Sequence, residues 1–214
     1  ALRLKVAHTF IETPTMATDG TRLLFNPVGT QSLSDAQVQG VIAHEVMHCA
    51  LGHLWRGEGK VWPIWNMTTD YVINPILLQQ SLTLADGMLI DPKWGDMPAE
   101  EIYIHLYQEA HERDKGKGPK GPKGENGEDG DGDGDDGDGS LVIQPDFLKP
   151  PSPGEGKDRM DKSGQGQAET PPMTASDWAV AAEQAVMIAK KAGNLPAGFD
   201  RLTRASRETE TDWR

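Results

Sequence analysis

The sequence predicts an α+β fold, with a small mixed sheet at the front of the chain and helices packed behind it. Three observations point there. Short runs with partial apolar alternation are confined to residues 2–28, as expected of half-buried strands. From Ser34 onward the apolar spacing changes to a helical period. A second helical pattern follows a short glycine loop, so one helix can be backed by another.

Residues 2–11 (LRLKVAHTFI) read as the first strand. The run Thr18 to Gly20 is a turn signal, and Thr21 to Phe25 reads as a second strand closed by Asn26-Pro27. Ser34 with Gln37 three residues later fits a capping box, and Asp35 suits the positive end of a helix. Val38, Val41, Ile42, Val46, Cys49 and Leu51 supply its apolar face to about residue 54. A loop at Gly57 to Gly59 leads to a second helix, expected from Asn66 as N-cap to about Gln80, with Met67, Tyr71, Ile73, Leu77 and Leu78 as its apolar positions. Pro75 is expected to kink or split it. Residues 81–97 read as irregular, and a third helix is expected from Pro98 to about Glu112.

Residues 114–173 read as an acidic, Gly/Pro-rich disordered linker. Glycine recurs every third position from Gly118 to Gly130, too briefly for a collagen helix. The chain thus divides into a globular part over 1–113, the linker, and a helical segment over 174–214. Ser176 is the expected cap of that last helix and Gly193 its stop. Trp178, Ala182, Ala185, Val186 and Ile188 are expected to pack back onto residues 1–113.

The formal charge is −12 over 214 residues, but eight acids and no Lys or Arg fall in Glu125–Asp138 alone. The acidity therefore belongs mainly to one segment, which makes the linker a candidate binder of a protein partner. No clustered Lys and Arg suggest a nucleic-acid surface. No apolar run of about 18 residues suggests a membrane span, and no apolar leader is seen at the start. The single Cys49 excludes an intramolecular disulfide and suits a reducing compartment. A cytoplasmic protein is the expectation.

HEVMH at 44–48 carries the strongest chemical signal. Histidines at i and i+4 of a helix project from one face and can bind one metal ion. Glu45, beside the first of them, can reach a water on that metal, whose pKa zinc lowers toward about 7. The competing reading is a buried helix with surface histidines. A catalytic zinc needs a third protein ligand and an open position. His53 sits five residues after His48, about 140° around a continuous helix, and reads as structural, a C-terminal helix cap. Asp70 is the better candidate, 22 residues beyond His48 on the backing helix. Asn74, one turn along, is placed to hold the free ring nitrogen of a ligand histidine. The alternative makes Asp70 a surface acid near a helix N-terminus. The pattern resembles the thermolysin-like gluzincins, in which a glutamate follows HExxH with an acid four residues on. Here Asp and Asn stand in those places, so the backing helix must lie about one methylene closer.

The runs TDGTRLLFNP, LSDAQVQGVIAHEVMHCALGHLWR, WNMTTDYVINPIL and PAEEIYIHL resemble a metallopeptidase-domain family of bacterial and phage proteins that often carry a C-terminal VWA-like domain. The resemblance covers about residues 1–110 and resumes in SDWAVAAEQAVMIAKKAGNLPAG and DWR. It implies a zincin-like fold, a peptide or protein substrate, His44, His48 and Asp70 as zinc ligands, and Glu45 as general base. Arg22 to Asn26 is the candidate edge strand for an extended substrate. Tyr103 and His105 are candidate transition-state stabilisers, set against packing for the tyrosine and solvent for the histidine. Cys49 reads as a packed thiol. Two readings compete: a zinc peptidase, and a catalytically silent zinc-binding regulatory or adaptor module that acts through protein contacts.

Overall fold

A computed structural model of the chain describes residues 4–8, 13–95, 97–116, 172–195, 199 and 203. The predicted linker, apart from its first and last few residues, lies outside these. Three strands and six helices are described: β1 (Lys5–His8), β2 (Met16–Thr18), β3 (Arg22–Phe25), α1 (Pro27–Gln31), α2 (Asp35–Ala50), α3 (His53–Arg56), α4 (Trp62–Gln79), α5 (Ala99–Gly116) and α6 (Ala175–Ala192), with a 3-10 turn at Pro92–Trp94 before α5. The expected combination of a small sheet and dominant helices is present.

The sheet is mixed, with strand order β1-β3-β2. β1 runs parallel to β3, with Val6 opposite Leu23, and β2 runs antiparallel to it, with Ala17 opposite Leu24. Strand β2 (Met16–Thr18) was not expected, being too short for alternation to reveal, and one expectation needs correction. Strand β3, expected to be an open edge for substrate, is the central strand with both sides paired, and the edges are β1 and β2. The β2–β3 turn forms where the TDG signal put it. Asp19 Oδ1 accepts from the backbone N–H of Thr21 and Arg22, and Gly20 takes φ +85°, a value glycine adopts without steric cost.

Helix α2 begins as expected. Ser34 and Gln37 close a reciprocal capping box, with Asp35 in the first turn. Its buried face follows the expected apolar one only in part, at Val41, Cys49 and Leu51. Gly40, Val41, His44, Glu45, His48 and Cys49 are buried, while Ile42 is 38% exposed. The inward stripe is built largely from the HEVMH residues themselves. Gly40 is required by packing: a Cβ there would lie 2.0 Å from the Thr83 carbonyl oxygen, and backbone cannot easily yield. Gly40→Ala is expected to destabilise the fold by about 1–3 kcal/mol, seen as a lower denaturant midpoint at unchanged slope.

Helix α4 starts at Trp62, earlier than Asn66, because Pro63 fits a helix's first turn. Asn66 is therefore an interior residue, 1% exposed. The helix runs unbroken through Pro75. It is buried around most of its circumference by Trp65, Val72, Ile73 and Leu77, whereas Leu78 is 45% exposed. These side chains join Leu54, Ile102 and Trp178 in the main core. Helix α6 is capped by Thr174 with Asp177, two residues before the expected Ser176, and ends at Gly193 as expected. Only its first half packs: Trp178 and Ala182 are buried, while Ala185 and Ile188 are exposed. Trp178 Nε1 donates to the Gly20 carbonyl at 2.7 Å, which ties α6 to the β2–β3 turn.

Candidate metal centre

His44, His48 and Asp70 converge from α2 and α4. They are the one group of three or more His, Cys, Asp or Glu side chains among the described residues with ligand atoms close enough to hold a metal ion. Helical i, i+4 spacing brings the two histidines together, with Nε2 atoms 2.8 Å apart. Asp70 Oδ1 lies 3.4 Å from His44 Nε2 and 3.3 Å from His48 Nε2. Asp70 thus crosses from the backing helix despite its short side chain.

The donor set fits a small divalent cation. Bonds of about 2.0–2.1 Å in a tetrahedron place neighbouring ligand atoms about 3.3 Å apart. The two N···O edges match that spacing, and the N···N edge is contracted. Three protein ligands leave one tetrahedral position for water or substrate.

The surroundings favour the ligand forms. His44 Nδ1 lies 2.9 Å from Asn74 Oδ1, and Asn74 Nδ2 donates to the Leu89 carbonyl at 2.9 Å. The Leu89 contact fixes the amide orientation, so the amide oxygen accepts from Nδ1–H. Neutral His44 then presents a lone pair at Nε2. Burial, and after it the neighbouring His44, pushes His48 down to about 4 against the pull of Asp70. Burial alone would raise Asp70, but the two imidazoles facing it hold it below the usual carboxylate range. Both shifts run toward the forms metal ligation needs, a neutral imidazole at His48 and a carboxylate at Asp70. Glu45, 1% exposed, lies one residue past His44 on the same buried stripe.

The other candidate side chains have contacts of their own. The Tyr103 hydroxyl accepts from the Val61 backbone N–H at 2.9 Å, and the Tyr103 ring meets Trp65 edge-on at 6.1 Å. His105 is exposed, with its ring 5.9 Å from that of Trp94. Cys49 is fully buried, 3.6 Å from Thr18 Oγ1. Burial pushes its thiol up to about 12. That describes a packed thiol.

His53 is the residue whose place the sequence reading missed. It is no C-terminal cap of α2. The helix ends at Ala50, Gly52 takes φ +67°, and His53 opens α3. This turn returns the imidazole to the site, with Nδ1 3.3 Å from His48 Nδ1. Burial, with Arg56 next, lowers its pKa well below the ordinary histidine value. The signal was Gly52, directly before His53, which breaks the continuous-helix geometry.

A family model described as "Putative metallopeptidase domain" matches residues 1–214. No curated protein matches the chain. No solved structure matches it. Among the described residues, no helix is long and apolar enough to cross a membrane.

Proposed function

The chain belongs to this metallopeptidase-domain family, and on that premise we propose that it is a zincin-like, zinc-dependent peptidase whose metal is held by His44, His48 and Asp70. The observation that carries the proposal is the convergence of two imidazole nitrogens and one carboxylate oxygen, with N···O separations of 3.3 and 3.4 Å, inside the fold. A cation between them turns mutual repulsion of lone pairs into ligation. Zinc supplies there a Lewis acid that lowers the pKa of a water toward about 7. Glu45 would serve there as the base that accepts a proton and returns it to the leaving amine. Asn74 keeps the His44 proton on Nδ1 throughout.

One observation favours a second reading. His44, Glu45, His48 and Asp70 are each at most 5% exposed, which suits a catalytically silent zinc module. A single experiment separates the two. The purified chain is expected to hold one zinc per molecule and to cleave an unstructured protein. A chelator should abolish cleavage, and added zinc should restore it. If the zinc-loaded chain cleaves nothing in a broad peptide library, the silent module is the correct reading.

A further inference from the structure

We propose that His53 is a positioning residue for the metal centre, accepting the Nδ1 proton of His48 so that the Nε2 of His48 faces the ion. This rests on the metal-centre reading above. The two ligand histidines need equivalent support, because a neutral imidazole offers a lone pair at Nε2 only when its proton sits on Nδ1. For His44 the acceptor is the Asn74 amide, itself held by Leu89. For His48 the group at Nδ1 is the Nδ1 of His53, at 3.3 Å with ring centroids 5.4 Å apart and planes 70° apart. With His48 donating, the His53 proton must lie on Nε2.

The place of His53 is fixed from several directions. Gly52 in the left-handed region turns the chain toward the site. Trp65 Nε1 donates to the His53 carbonyl at 2.8 Å, and the Trp65 ring packs edge-on against the imidazole at 6.1 Å. Arg56 bonds the Leu51 carbonyl at 2.8 Å and pairs with Glu100 at 2.7 Å, which closes the same turn. His53 is 1% exposed, so water does not readily substitute for it as the acceptor. Partners of this kind are worth about 10- to 100-fold in metal affinity.

The test is zinc competition with a chromophoric chelator, using the whole chain. His53→Leu keeps an apolar side chain of similar size and removes the acceptor. It is expected to bind zinc about 10- to 100-fold more weakly. His53→Asn places an acceptor oxygen near the Nδ1 position and is expected to recover most of that affinity. A residue that merely fills space predicts no such rescue. Equal affinity in all three proteins, or equal loss in both variants, overturns the proposal. Should His53→Leu fail to fold, nitrogen-15 NMR of the zinc-loaded natural chain decides. A proton on His48 Nδ1 with one on His53 Nε2 supports the assignment, and a proton on His53 Nδ1 overturns it. A natural chain that binds no zinc rejects the metal centre itself, whereas zinc binding indifferent to residue 53 rejects only the role of His53.

Discussion

Changing Glu45 to Gln is expected to lower peptide hydrolysis by about 10²- to 10⁴-fold, the usual contribution of a positioned general base, while zinc stays bound. Gln has nearly the same shape as Glu, and residue 45 is 1% exposed on the stripe that carries the ligands. The substitution therefore leaves packing largely intact and removes the group that takes a proton. Turnover and zinc content measured on the same preparation check this. A variant that keeps its zinc and its full turnover would eliminate Glu45 as the base. Loss of zinc together with activity would instead place Glu45 among the groups that build the site.

Much of this centre was legible in the sequence because it depends on local geometry. The i, i+4 spacing puts His44 and His48 on one helical face wherever the helix lies, and the same period puts Asn74 one turn from Asp70. The capping box of Ser34 and Gln37 needs only four residues, and it formed as expected. What escaped depends on the chain's path in space. Apolar periodicity placed the inward face of α2 on Val38, Val41, Ile42, Val46, Cys49 and Leu51; Val41, Cys49 and Leu51 are buried, yet Ile42 is 38% exposed and the polar motif residues are buried beside them. A functional site inside a fold inverts the hydrophobic rule for the helix that carries it. His53 was misplaced because a continuous helix was assumed across Gly52. β3 was misplaced as an edge because β2, with three residues, is too short to declare itself.

Replacing Asp70 by Asn is expected to take most of the metal's contribution out of folding stability. Zinc stabilises a folded chain by mass action. At a free concentration about 1,000-fold above its dissociation constant it adds about 4 kcal/mol. A neutral carboxamide is a weak ligand compared with a carboxylate. If affinity falls by about 100-fold, the same zinc concentration adds only about 1.4 kcal/mol. The readout is the zinc-dependent increment in unfolding free energy, measured with and without the metal for both proteins. Asp70 is 5% exposed and faces both imidazoles, so the substitution also alters the metal-free fold, and that change cancels in the increment. An increment equal to that of the natural chain would remove Asp70 from the ligand set and leave the two histidines without their third partner. A residue retained for packing shifts the metal-free and zinc-loaded proteins together, whereas a ligand acts only on the difference between them.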